Sequence, residues 1–236
     1  MTKISVCMAT YNGAKFIQNQ IDSIIKQLGK DDEIIISDDS STDNTIEIIQ
    51  SFKDDRIKLF PNQKFRSPIT NFENALQLAT GEIIFLADQD DIWHDSKVEK
   101  MAAALENADM AVCDCSFIDD NNKITLDSYF KLVSSSSGVI RNLKKNTYFG
   151  CCMAFRKRIL KKAIPFPKDI PMHDIWLGFV SDLCFKSVFI NESLTYYRKH
   201  NNNASIASDV ISNLSLLTKL KFRYNVVKYL PVLLLR

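Results

Sequence analysis

Through residue 117 the chain alternates short apolar runs with segments of helical period, and that alternation leaves few folds open. Residues 4–9, 33–37, 56–60, 82–87 and 109–117 read as strands, and the more continuously apolar of them are expected to be buried on both faces. Between the first two, Phe16, Ile17, Ile21, Ile24, Ile25 and Leu28 recur at helical spacing, and Gly29 closes the helix. Further helices are predicted around Ile46, Ile48 and Ile49, over 70–80 and over 96–107. Strands alternating with helices predict an α/β fold with a mostly parallel sheet and right-handed crossovers. In such open sheets ligands sit beyond the carboxyl ends of the strands. The polar clusters at 10–13, 38–43 and 88–91 each follow a strand, so topology alone brings them to one edge.

The rest of the chain is less regular. Residues 119–123 read as a turn and 134–138 as a flexible serine-rich loop. A strand is predicted over 151–155, a helix over 156–163, a helix over 173–183 and a strand over 185–190. The prolines at 165, 167 and 171 predict an extended link. A length of 236 residues suits one large domain, alone or with a small appendage. Six cysteines show no zinc spacing and read as buried free thiols, as in a reducing cytosol. The amino terminus carries no signal-peptide pattern, and no apolar stretch is long enough to span a bilayer.

Three clusters carry chemistry. Asp88, Asp90 and Asp91 crowd three carboxylates into four residues, a repulsion that a hard divalent cation such as Mg²⁺ or Mn²⁺ relieves. A solvated turn capping the next helix is the plainer alternative. Asp38 and Asp39 follow a buried strand, where a carboxylate can accept the imide N–H of a uracil or thymine; a turn is again the alternative. In Thr10-Tyr11-Asn12-Gly13 the glycine permits a tight turn and Tyr11 can stack on a nucleobase, or the segment is a plain connection. Asp174 stands at a predicted helix start, as a base or as a cap.

Val6-Cys-Met-Ala-Thr-Tyr-Asn-Gly13, Gln20-Ile-Asp-Ser23, Ile34-Ile-Ile-Ser-Asp-Asp-Ser-Ser-Thr-Asp43, Asn71-Phe72 and Phe85-Leu-Ala-Asp-Gln-Asp-Asp-Ile-Trp93 resemble, in order and spacing, the family 2 glycosyltransferases. Gly150-Cys-Cys-Met-Ala-Phe-Arg156, Pro171-Met-His-Asp-Ile-Trp176 and Tyr197-Arg-Lys-His200-Asn-Asn202 resemble the later motifs of a rhamnosyltransferase-like branch. The resemblance implies a GT-A fold, a Rossmann-like sheet flanked by helices. It implies sugar transfer with inversion from a nucleotide diphosphate donor, UDP- or dTDP-linked, to a hydroxyl of a glycan or lipid-diphosphate-linked acceptor. Carried over residue by residue, Thr10, Tyr11 and Asp38 hold the nucleobase and Asp39 supports their loop. Asp88 reaches the ribose or a metal-bound water, Asp90 ligates Mg²⁺ or Mn²⁺, and Asp91 fixes the loop or meets the acceptor. Asp174 matches the catalytic base. His173 beside it tunes that base or is structural, Trp176 lines the sugar site or the core, and His200 is a candidate for the metal or diphosphate. Ser40-Ser41 departs from the family's more frequent Gly-Ser. The Q-x-x-R-W motif of processive synthases is missing, which implies transfer of single sugars.

Two other classes compete. A sugar nucleotidyltransferase needs a Gly-rich basic loop after the first strand, where only Gly13 appears. A non-catalytic nucleotide-sugar-binding module would not need Asp38, Asp90 and Asp174 intact.

Charge divides the chain. Residues 1–138 hold 13 Lys/Arg against 23 Asp/Glu, and residues 139–236 hold 17 against 5. The division predicts a glycosyltransferase domain over 1–204, with a donor half at 1–117 and an acceptor half at 118–204, followed by a basic amphipathic helical tail at 205–236. Lys219, Lys221, Arg223, Lys228 and Arg236 lie among apolar residues there. That composition suits an anionic membrane, with Phe222, Tyr229 and Leu230 expected to insert. The expected location is cytoplasmic, peripheral on the inner face of the cell membrane. Nucleic-acid binding is not expected, because no recognition motif or stacking array accompanies the basic residues.

Overall fold

The computed structural model describes residues 2–200 and 215–235. The first half runs β1 (Ile4–Thr10), α1 (Ile17–Ile25), β2 (Glu33–Asp38), α2 (Thr45–Ser51), β3 (Ile57–Phe60), α3 (Pro68–Leu78), β4 (Ile83–Asp88), β5 (Ile92–Trp93), α4 (Lys97–Ala104) and β6 (Met110–Ile118). The second runs β7 (Ile124–Leu126), α5 (Tyr129–Val133), α6 (Val139–Lys144), β8 (Met153–Arg156), α7 (Leu160–Ala163), α8 (His173–Cys184), β9 (Ser187–Arg198), α9 (Leu216–Val227) and α10 (Leu230–Leu235). Single 3-10 turns precede β8 and α7.

Among the described residues nine strands form one sheet, in the order β3-β2-β1-β4-β8-β6-β9-β5, with β7 paired to β6. The β3-β2-β1-β4 half is parallel throughout. β8 then enters antiparallel between β4 and β6, and β9 pairs parallel to β6. The expected α/β fold with helices against a central sheet is what forms. The apolar runs of β1, β2 and β4 lie in the core, where Val6, Ile34, Ile36, Ile84 and Phe85 are fully buried. α1 forms because Ile17, Ile21 and Ile24 share one face and bury it against the sheet. Gln20 and Ser23, polar but buried on the same helix, are bonded. Glu33 opens β2 and ties the sheet's lower edge, accepting from Ser5 Oγ (2.6 Å), Thr80 N (2.7 Å) and Lys58 Nζ (2.6 Å).

β9 extends well beyond the expected 185–190. Its register against β6 jumps from Cys113↔Ile190 to Asp114↔Ser193, so Asn191 and Glu192 form a bulge and the strand continues to Arg198. The expected helical tail forms as α9 and α10. Residues 201–214, including Asn201 and Asn202 of the last motif, lie outside the described residues. α9 and α10 dock on the body: Val226 and Leu233 are buried, and Tyr229 stands edge-on to Trp176. Tyr229 Oη donates to Asp169 Oδ1 (2.7 Å), which ties the link between α9 and α10 to the body. No described helix is long and apolar enough to cross a membrane.

Candidate active site

The carboxyl ends of β1, β2 and β4 meet the N-terminus of α8 around a cavity of about 810 Å³. Beyond β1 the chain turns through Asn12, whose φ of 49° is in the left-handed region that asparagine tolerates. Asn12 Oδ1 accepts from Thr42 N at 2.8 Å, which joins the loops after β1 and β2. Thr10 Oγ1 donates to Asp38 Oδ2 at 2.8 Å, and Ser41 N donates to Asp38 Oδ1 at 2.9 Å. Asp39 accepts from Phe65 N (2.7 Å) and Ser67 N (3.2 Å), so it holds the loop 61–67 over the cavity. Ser40 has φ 64°, a conformation that favours glycine and explains the family's preference at this position. Its hydroxyl donates to the Gln63 carbonyl, a bond glycine cannot make. Tyr11 is 58% exposed, leaving its ring open for stacking.

The acidic cluster is braced from several elements. Gln20 Nε2 donates to the Asp88 carbonyl at 2.9 Å. Gln89 clamps the first loop in both directions, accepting from Tyr11 N (2.9 Å) and donating to Tyr11 O (3.0 Å). A side chain at Gly13 would strike Gln89, which gives that glycine a steric reason. Asp90 pairs with His200 Nε2 at 2.8 Å, and His200 stacks on Phe16. Arg198, at the end of β9, donates through Nε to the Asp90 carbonyl and through its N–H to Asp91 Oδ1, both at 2.9 Å.

Charge repulsion shows in the proton affinities. Burial first, and then Asp90 and Asp174, push the Asp88 carboxyl up to about 8. Asp91 is raised well above the usual range, by burial first and then by Asp90 and Asp88. An oxygen of Asp88, an oxygen of Asp91 and the Cys151 sulfur lie within 4.8 Å of one another. Asp91 Oδ2 is buried with no hydrogen-bond partner among the described residues. Crowded carboxylates of this kind fit a hard divalent cation. Asp88 and Asp90 face the cavity and would hold it, with His200 beside Asp90.

Across the cavity, Asp174 lies in the first turn of α8 and is 5% exposed. Burial pushes its carboxyl up to about 6, against bonds from its surrounding backbone, including Ile175 N at 2.6 Å. His173 stacks on Phe72 at 4.1 Å, and burial pushes it down to about 3, so it is a neutral imidazole.

Thr10, Tyr11, Asp39, Asp88, Asp90, His173 and Asp174 therefore line one cavity. Asp38, Asp91, Trp176 and His200 do not. Asp38 is fully buried beneath the first loops and organises them, so the cavity contact expected of it falls to Asp39 instead. Trp176 is 1% exposed with Nε1 bonded to the Ala163 carbonyl (2.9 Å), so it belongs to the core behind α8 rather than to a sugar site. Lys64 and Arg66 in the overhanging loop and Phe149 also line the cavity, although nothing in the sequence singled them out; Gln89 and Gly150 line it too and stood in motifs without an assigned role. Asn71 was visible only as part of a motif; its Nδ2 donates to the Thr10 carbonyl at 3.2 Å.

Comparison with known proteins identifies the family. Residues 5–164 match the family model described as Glycosyl transferase family 2. The chain is 31% identical over 208 residues to the Escherichia coli UDP-Glc:alpha-D-GlcNAc-diphosphoundecaprenol beta-1,3-glucosyltransferase WfaP, covering 87% of this chain and 80% of that one. It is 30% identical over 220 residues to the dTDP-rhamnosyl transferase RfbG of Shigella flexneri, covering 83% and 72%. Among solved structures, S. aureus TarS 1-349 in complex with UDP-GlcNAc superposes with a TM-score of 0.70 at 20% identity, over 95% of this chain and 71% of that one. The fold is GT-A, and the chain belongs to glycosyltransferase family 2.

Proposed function

We propose that the chain is an inverting enzyme that moves one sugar from a UDP- or dTDP-linked donor, dTDP-rhamnose among the candidates, to a hydroxyl of a glycan or lipid-diphosphate-linked glycan in bacterial surface polysaccharide synthesis. The observation that carries this reading is Asp174, a buried carboxylate raised to about 6, facing Asp88 and Asp90 across one cavity. Tyr11 and Asp39 receive the nucleobase, and Asp38 holds their loops through Thr10 and Ser41. Asp88 and Asp90 would hold Mg²⁺ or Mn²⁺, which when bound would neutralise charge growing on the leaving diphosphate.

Asp174 accepts the proton of the acceptor hydroxyl as that oxygen attacks the anomeric carbon, and the nucleoside diphosphate departs from the opposite face. A carboxyl that titrates near 6 is ionised at neutral pH, yet it is a stronger base than an exposed aspartate. The relatives' activities, on UDP-Glc with a diphosphoundecaprenol-linked acceptor and with a dTDP-rhamnosyl donor, support this substrate class. The enzyme is placed at the inner membrane face, where such donors and acceptors meet.

The test is a donor panel of UDP-glucose, UDP-GlcNAc and dTDP-rhamnose, offered with Mn²⁺ and a lipid-diphosphate-linked GlcNAc acceptor. Release of nucleoside diphosphate with formation of the extended glycan is the expected result. Full activity in excess EDTA would overturn the metal assignment. Failure to bind or turn over any UDP or dTDP sugar would overturn the donor class.

A further inference from the structure

Among the described residues, the anchoring contacts of α9 cluster away from one apolar stripe. Asn225 Nδ2 donates to the Asp169 carbonyl at 2.8 Å, Val226 is buried, and Lys228 pairs with Asp169. Arg223 reaches the carbonyls of Leu143 and Lys144 at the end of α6. On the other side Leu217, Leu220, Tyr224 and Val227 follow one another at three- and four-residue steps, which places them in a single stripe. Their exposures are 79%, 51%, 66% and 38%. In α10, Val232 and Leu235 are exposed as well. A solvated surface helix turns polar side chains outward. α9 does the reverse along this stripe.

Beside it is a second cavity of about 370 Å³, lined by Val133, Ser134, Ile140, Arg141, Lys144, Lys145 and Thr147. No carboxylate appears among these described lining residues, and Ile140 is 72% exposed. The cavity and the stripe are neighbours, because Arg223 of α9 bonds the carbonyl of Lys144, itself a lining residue. Residues 215–236 carry five Lys/Arg and no Asp/Glu.

We propose that the α6–α9 face docks on an anionic bilayer, with the α9 stripe lying in the interface and Arg141, Lys144 and Lys145 holding a lipid phosphate. An apolar stripe flanked by cations matches a surface that is apolar below and negative above. A second copy of the chain is a poor occupant, because isologous pairing would set one acid-free basic helix against another. The purpose of docking, access to a lipid-linked acceptor, rests on the function proposed above; the docking itself needs neither donor nor acceptor.

The full chain is sedimented with vesicles of phosphatidylcholine alone or mixed with phosphatidylglycerol, at low and high salt, without any sugar nucleotide. Preference for the anionic vesicles by at least about tenfold, lost at high salt, is expected. Leu220→Ser with Tyr224→Ser, and separately Lys144→Glu with Lys145→Glu, should each weaken binding by about tenfold or more. All four side chains are exposed, so melting temperature and UDP-sugar binding should remain as in the parent. Equal binding to neutral and anionic vesicles overturns the proposal, as does unchanged binding by both variants. It is equally overturned if the stripe variant turns a dimer into a monomer while vesicle binding is absent. Retained vesicle binding with no donor turnover leaves docking standing and removes only its purpose.

Discussion

The role proposed for Asp174 would come at the expense of stability. In an unfolded chain its carboxyl titrates near 4, whereas burial raises it to about 6 in the fold. Between those values the folded state keeps a proton that the unfolded state has released, so each rise in pH lowers stability, and above 6 the full cost stands. Asp174→Asn should therefore melt higher than the parent at pH 7.5, by up to about 3 kcal/mol, with the difference gone near pH 4. The same variant should bind donor normally and turn over about 10²–10⁴-fold more slowly, while turnover by the parent rises through about pH 6. Scanning fluorimetry at the two pH values and steady-state rates check both halves. A variant that melts lower at pH 7.5, or that stays within about threefold of the parent rate, would remove Asp174 from the role. Glu33 runs the opposite way. Bonds from Lys58, Ser5 and Thr80 outweigh its burial and hold its carboxyl down at about 2. Its contribution is complete above the usual carboxylate range and is lost as pH falls toward 2. Glu33→Gln should flatten the acid limb of the stability curve between about pH 4.5 and 2, a change visible in melts across that window.

At the scale of elements, the docked tail changes what its removal would do. Leu233 of α10 is fully buried, so Leu233→Ala should cost about 2–5 kcal/mol of stability, read as a lowered melting temperature. A tail that serves only as a surface tether would show no such loss. Deleting it would also uncover Trp176 on the helix that carries Asp174, so that helix and the tail are joined. The early strands were legible because β1, β2 and β4 are continuous apolar runs that each end in polar residues, a pattern that local sequence carries by itself. β9 was legible only in part. Asn191 and Glu192 interrupt its apolar run, and only pairing with β6 shows that they are a bulge within one strand. β5 is two residues long and exists because Trp93 and Ile92 pair with Thr195 and Tyr196. In the site, Asp88, Asp90 and Asp174 announced themselves by charge and motif. Lys64 and Arg66 did not, since their place depends on a loop that Asp39 folds over the cavity, and Gln89 did not, since its bonds are to the backbone of distant Tyr11.

For the whole molecule, the repulsion stored in the acidic cluster predicts linkage between ligand and fold. Mn²⁺ with UDP, supplied at about 100 times their dissociation constants, should stabilise the chain by about 2.7 kcal/mol, and Asp90→Ala should abolish the gain. Thermal melts with and without EDTA read this directly. An equal rise in the variant would place the cation elsewhere. The two stretches read as donor half and acceptor half do not meet as separable bodies. Arg198 comes from the second, yet it bonds the Asp90 carbonyl, the Asp91 carboxylate, the Asp119 carbonyl and Asn122 Oδ1, and it stacks over Phe16. It works as a mortise pin between the two stretches. Anyone grafting a foreign acceptor segment here to obtain a new linkage would have to import Arg198 and the strand that ends in it along with residues 90–93. A splice at residue 117 that ignored them would inherit a donor pocket with its floor unfastened.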